Sequence, residues 1–288
     1  MRTLIFAILI LLLSSCRYDF AGFVSPPSKT VETRFKESLD MNNNDTIISI
    51  ASASYQMAFC SDVHVNKTAH NLSILLKEVN SNPDISLMAI LGDITDMPGG
   101  MFVAKDTITS ANMDIPVKYI VGNHDLYFYQ SDDFKEIFGS VSHYFIVQAD
   151  TVSDFFIVLD SGSGTLGNSQ LKWLENLLKS RRHLHRNCTV LTHTHFWDTE
   201  MSQFPTGNFP VEETAVLTNL FSKYDVNMVI SGHDHTSQVK LFNGVCYIIT
   251  DAILDESEKW SYLKVTFSDE VSYSFKYMLF DEILWKIY

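Results

Sequence analysis

Cysteine is scarce in this chain and follows no pattern. Four cysteines fall among 288 residues with no Cys-x-x-Cys pair, which excludes a thiolate zinc knot and a disulfide-built scaffold. Glycine and proline number only 12 and 7, and no repeat or low-complexity segment appears, so the chain is neither collagenous nor linker-like. No apolar run approaches the roughly 20 residues of a membrane-spanning helix. Positive charge is also short: 21 Lys and Arg against 34 Asp and Glu give a net charge of −13. Such a surface repels polyanions, so broad binding of DNA or RNA is not expected. What is abundant is core material, with 46% hydrophobic and 12% aromatic residues, enough for one large α/β domain.

The longest apolar run, Leu4–Leu13, follows Arg2 and ends at Leu13-Ser14-Ser15-Cys16. A positive residue, a short apolar stretch and small residues before a cysteine describe a secretory leader of the bacterial lipoprotein kind, with Cys16 taking the lipid. The expected organisation is a leader over 1–16, a polar tether over 17–46 and a folded domain over 47–288. An exported chain held in the bacterial cell envelope by lipid on Cys16 follows from that reading. Cys60, Cys188 and Cys246 remain, an odd set expected as buried thiols with room for one disulfide.

From Ile47 short apolar runs recur and end in polar residues: Tyr55–Cys60, Leu87–Leu91, Val117–Val121, Phe155–Leu159, Thr189–Leu191 and Val226–Ile230. They read as buried strands. Leu72, Leu75, Leu76 and Val79 share one helical face, as do Leu171, Leu174, Leu177 and Leu178. Alternation of the two predicts an α/β sheet covered on both faces. The stretch Val239–Met278 reads as successive strands turning at Asn243-Gly244 and Ser268-Asp269. The aromatic segment Phe196–Phe209 either lines a cleft or packs.

Five motifs follow five of these runs: Asp62-Val63-His64, Gly92-Asp93, Gly122-Asn123-His124-Asp125, His193, and Gly232-His233-Asp234-His235. Loops beyond the carboxyl ends of parallel strands converge on one crevice. The carboxylates, the amide and the imidazoles gathered there suit Mn, Fe, Zn or Co. They exceed what one tetrahedral ion needs, whereas two ions about 3.5–4 Å apart can hold a bridging hydroxide for in-line displacement at phosphorus. Single histidines are ordinarily surface or packing residues, and Asp125 reads as a brace of its loop.

This ordered set resembles the signature of the calcineurin-like metallophosphoesterases, over roughly residues 54–250. The resemblance implies a four-layer α/β/β/α sandwich with two divalent or transition-metal ions. It implies that Asp62, His64 and His235 hold one ion, that Asn123, His193 and His233 hold the other, and that Asp93 bridges. His124 would act on the leaving oxygen, with Asp96 as its support. The fourth motif, Thr192-His193-Thr194-His195, lacks the proline common in relatives, which leaves His195 a rival to His193. Asp96 stands where the purple acid phosphatase branch has a tyrosine, so no tyrosinate–iron site is expected. The expected activity is hydrolysis of small phosphomonoesters or phosphodiesters. The alternatives are a non-catalytic metal-binding module at the cell surface and, against the acidic charge, a nuclease.

Overall fold

A computed structural model of the protein describes residues 27–41, 46–197, 206–279 and 283–287. The leader, the lipobox and Cys16 lie outside them. Among the described residues, one sheet runs in the order β1 (Thr46–Ile50), β5 (His143–Ala149), β6 (Val152–Val158), β7 (Cys188–Leu191), β8 (Met228–Ser231), β10 (Val245–Ile249), β9 (Gln238–Phe242). The other runs β13 (Ile283–Ile287), β12 (Ser272–Leu279), β11 (Lys259–Phe267), β2 (Tyr55–Cys60), β3 (Ile85–Leu91), β4 (Val117–Ile120). The strands that carry the motifs are parallel within each sheet: β2, β3 and β4 in one, β7 and β8 in the other.

Period-two alternation explains the layering. Met57, Phe59, Leu87, Ala89 and Leu91 point inward and meet Phe145, Phe156, Val158 and Ile230 of the opposite sheet. Their neighbours Ala58, Cys60, Met88 and Ile90 point outward, under the helices α2 (His70–Ser81), α3 (Gly100–Ala111) and α4 (Ser131–Phe138). On the far side α5 (Gly167–Arg181) and α6 (Val211–Lys223) cover Phe155, Ile157, Val190 and Val229. Strands β2, β3, β7 and β8 are buried on both faces, which is why they read as unbroken apolar runs. The result is the four-layer α/β/β/α sandwich that the resemblance implies.

Helix α2 shows what sequence rules reach and what they miss. Leu72, Leu75, Leu76 and Val79 form its buried stripe, as their spacing requires. Its N-cap is Ala69, which offers no side-chain acceptor. The first amides, of His70 and Asn71, donate instead to the carboxylate of Asp255, far along the chain. The negative group suits the positive helix terminus.

Residues 17–46, expected as a polar tether, contain a packed element. Helix α1 (Val31–Met41) lies against α5, with Phe35 buried and its ring 5.6 Å from that of Trp173. Phe20, Phe23 and Phe35 in the sequence point to packing of part of this stretch, and the helical period is masked because the buried face includes Arg34 and Ser38 beside Val31 and Phe35. The tail forms the expected strands, and Asn243 and Gly244 turn β9 into β10 with φ of 49° and 81°, as a tight hairpin requires. Cys60, Cys188 and Cys246 are free thiols. Phe196, Trp197 and Phe209 are buried in the layer beneath α6, so these members of the aromatic segment pack.

Candidate metal centre

The carboxyl ends of β2, β3, β4, β7 and β8 meet at one edge of the sandwich, and their loops are stitched together. The Asp62 amide donates to the Gly92 carbonyl at 3.0 Å and the His64 amide to the Asp93 carbonyl at 2.9 Å. The Gly232 amide donates to the His193 carbonyl at 2.9 Å, and the His233 amide to Asp62 Oδ2 at 2.9 Å. Asp62, His64, Asp93, His233 and His235 all adopt positive φ, between 48° and 76°. Non-glycine residues adopt that region at a cost, and clusters of such residues mark functional sites.

Three groups of donor atoms result, one of them joining His64 to Asp96 and His124. In the second, Nε2 of His64 and Nε2 of His235 face each other at 3.2 Å, with Asp62 Oδ1 3.4 Å from His235 Nε2 and 4.0 Å from His64 Nε2. In the third, His193 Nε2 lies 3.2 Å from Asp93 Oδ2, 3.1 Å from Asn123 Oδ1 and 3.2 Å from His233 Nδ1. Asp93 Oδ2 is also 3.8 Å from His64 Nε2, so this carboxylate stands between the second and third groups. Its other oxygen accepts the His124 amide at 2.8 Å.

The donor set fits cations. Asp62 Oδ1 is buried and receives no hydrogen bond. Burial works to raise the Asp62 and Asp93 carboxyls, yet the surrounding imidazoles, His235 and His193 for the first and His193 above all for the second, hold both well below the usual range. Burial likewise opposes charge on His193, but Asp93 and Asp62 push it up to about 10. Two buried carboxylates that draw a proton this strongly onto a ring nitrogen form a pocket of negative potential suited to metal ions.

The supporting contacts fix each donor. His193 Nδ1 donates to the Leu91 carbonyl at 2.8 Å, which leaves Nε2 for the site, an arrangement typical of metal-binding histidines. Tyr127 accepts from Asn123 Nδ2 at 3.2 Å and so turns Oδ1 inward. Ser161 Oγ accepts the amides of His193 and Thr194 at 3.1 and 2.9 Å. Asp125 braces its loop as expected, taking the Thr95 amide at 3.0 Å and the Gly122 amide at 2.9 Å. Burial first, then the charge of Asp93, pushes its carboxyl up to about 6. Tyr127, four residues past Asn123, carries no signal of its own in the sequence, whereas Ser161 closes the stretch Phe156–Ser161 that resembles family sequence and takes its supporting role only in the fold.

His124 stands beside the second and third groups. Its Nδ1 is 2.9 Å from Asp96 Oδ1, and its ring is 4.6 Å from that of His64. The His124 ring, then the His64 ring, hold the Asp96 carboxyl below the usual range. His195 lies behind the site, its ring centroid 5.6 Å from that of His233. It joins none of the clustered donor groups, whereas His193 sits with Asp93 and His233.

Residues 55–237 match the calcineurin-like phosphoesterase family, and the chain belongs to that family. Solved structures agree on the fold. A dimetal phosphatase from Danio rerio is 12% identical with a TM-score of 0.57, over 81% of this chain and 99% of its own. The purple acid phosphatase PPD1 from yellow lupin (Lupinus luteus) is 13% identical with a TM-score of 0.60, over 82% of this chain and 53% of its own. GAP50, the anchor in the inner membrane complex of Plasmodium, is 13% identical with a TM-score of 0.56, over 81% of this chain and 84% of its own. No curated protein matches the chain. At such identities the likeness concerns architecture, and a phosphatase and an anchor share it, so function has to be argued from the site.

Proposed function

We propose that the protein is a dinuclear-metal hydrolase of small phosphomonoesters or phosphodiesters. The observation that carries this reading is Asp93 Oδ2, 3.2 Å from His193 Nε2 on one side and 3.8 Å from His64 Nε2 on the other. A carboxylate between two imidazole groups suits a ligand shared by two ions. Asp62, His64 and His235 would hold one ion, and Asn123, His193 and His233 the other. Bound there, the pair would polarise a phosphoryl group and lower the pKa of an attacking water.

The chain's own groups supply the rest. Asp93 is pinned by the His124 amide, so the shared carboxylate keeps its place during turnover. His124 faces the leaving side and donates a proton from Nε2 as the phosphorus–oxygen bond breaks, work typically worth about 10²–10⁴-fold. His124 Nδ1 lies 2.9 Å from Asp96 Oδ1, which holds the ring and leaves Nε2 for the substrate. The acidic surface disfavours nucleic-acid substrates.

The test is metal content together with turnover. Purified protein should bind two transition ions per chain and hydrolyse bis-p-nitrophenyl or p-nitrophenyl phosphate with added Mn²⁺. Asp93→Ala should weaken both sites. If the variant retains both ions at normal affinity, the shared-ligand reading is wrong. Ion binding without turnover of any ester would favour a non-catalytic metal module. By the same sequence logic the protein is proposed to be lipid-anchored through Cys16. Cys16→Ala should leave the membrane fraction and lose its acyl mass, and an unmodified Cys16 in the wild type would rule the anchor out.

A further inference from the structure

Asp160 is fully buried and lies inside the stretch that matches the family, 55–237. Its cation comes from outside that stretch. Arg34 of α1, itself 3% exposed, lays Nε on Asp160 Oδ2 at 2.7 Å and Nη2 on Asp160 Oδ1 at 3.1 Å. Two further donors are used, Nη1 on the Lys29 carbonyl at 2.6 Å and Nη2 on Ser163 Oγ at 2.9 Å. The fork fixes the carboxylate in two directions at once, which a lysine cannot do.

The residue after Asp160 is Ser161, whose hydroxyl takes the amides of His193 and Thr194 and the hydroxyl of Thr192, the last at 2.7 Å. The Ser161 carbonyl takes Thr194 Oγ1 at 3.0 Å. Gln170 clamps the Asp160 backbone from the other side, its Oε1 on the Asp160 amide at 2.9 Å and its Nε2 on the Asp160 carbonyl at 3.0 Å. A continuous set of buried polar contacts therefore runs from α1 through Asp160 and Ser161 to the turn that carries His193. Of the opposite donor group, Asp62 and His64 follow β2, and His235 shares its loop with His233.

We propose that Arg34 and Asp160 are positioning residues for the His193 half of the metal centre, and that α1 is a working part of that centre. The inference rests on the dinuclear reading above, with His193 as a ligand. Without the fork the buried Asp160 carboxylate lacks its cation and turns toward other donors. Ser161 then shifts with it, and His193 Nε2 leaves the position that Asp93, Asn123 and His233 define. Partners that orient a ligand in this way are worth about 10–100-fold in metal affinity when removed.

The experiment titrates Zn²⁺ into the metal-stripped full chain against a competing chelator, with folding checked by circular dichroism. The wild type should load two ions in two steps. Arg34→Met should weaken by about 10–100-fold the step that His193→Ala abolishes, and leave the other step unchanged. Removing both charges, in Arg34→Met with Asp160→Asn, should restore much of that step, because no buried charge is left unpaired. Glu37→Gln cuts a different tie of α1, to Lys29 and Lys135, and should change neither step. If Arg34→Met fails to fold, Arg34→Lys, which keeps the charge without the fork, is read in its place. Two unchanged steps in a folded variant overturn the proposal. So does equal weakening of both steps, which marks a general structural role. A wild type that loads fewer than two ions instead refutes the dinuclear reading on which the proposal stands.

Discussion

Gly122 offers a test of the centre that replaces no donor and changes no charge. A methyl group built on it would lie 2.1 Å from Asp93 Oδ1 and 2.2 Å from Asp93 N. Unstrained contacts begin at about 3.5 Å, so the overlap exceeds about 1 Å. Rotation of Asp93 cannot relieve it, because one clashing atom is backbone and Oδ1 is held by the His124 amide at 2.8 Å. Overpacking ordinarily costs about 1–3 kcal/mol, and losing a charge-assisted hydrogen bond adds about 1.5–3 kcal/mol. Gly122→Ala should therefore lose about 3 kcal/mol or more, a fall in Tm of about 6–12 °C at this size. Because the displaced group is the carboxylate between the donor groups of Asp62 and His193, both ions should bind more weakly, and turnover should drop about 10²-fold. Gly139 is the control. Its φ is 92° with ψ −149° and no described atom comes within 4 Å of a Cβ there, so Gly139→Ala should cost about 1–3 kcal/mol from backbone strain alone and leave metal binding intact. Calorimetry and chelator-competed titration read both effects. A Gly122→Ala protein with two normal ions and normal turnover would refute the claim that Asp93 is shared.

Two further outcomes separate roles within the site. His124→Ala should keep both ions but lose kcat, more for alkyl phosphates than for nitrophenyl esters, whose leaving groups need no proton; comparison of the two substrates reads this, and loss of metal would mean that His124 is a ligand. His193→Ala should cost far more metal and activity than His195→Ala, since His193 Nε2 lies 3.2 Å from Asp93 Oδ2; metal analysis of the two variants checks the ranking, and the reverse order would shift the fourth motif by two residues.

The contrast between the motif histidines and Arg34 shows how far the sequence reaches. Asp62, His64, Asp93, Asn123, His193, His233 and His235 were legible because each follows a buried strand, and parallel strands must deliver their loops to one edge. The sheets were legible for a related reason: β2 and β3 are buried on both faces, so their apolar residues run unbroken in the chain. Strand β1 and helix α1 were not, since a mixed face such as Val31, Arg34, Phe35 and Ser38 has no apolar period.

What the sequence by itself determined is the chemistry: which side chains gather, and that they make a family site. The sequence favours His193 over its rival His195 by its place at the strand end, and the tertiary structure adds that the His193 ring stands beside Asp93. Both follow the same strand, and two residues of loop decide which ring meets Asp93. Tertiary structure alone decided the supports. Tyr127 turns the Asn123 amide, Asp255 caps α2, and Arg34 satisfies Asp160. Each such contact depends on two groups brought together by packing. A lone tyrosine, aspartate or arginine in a sequence carries no mark of the partner that will need it, because the need arises only when folding takes that partner out of water.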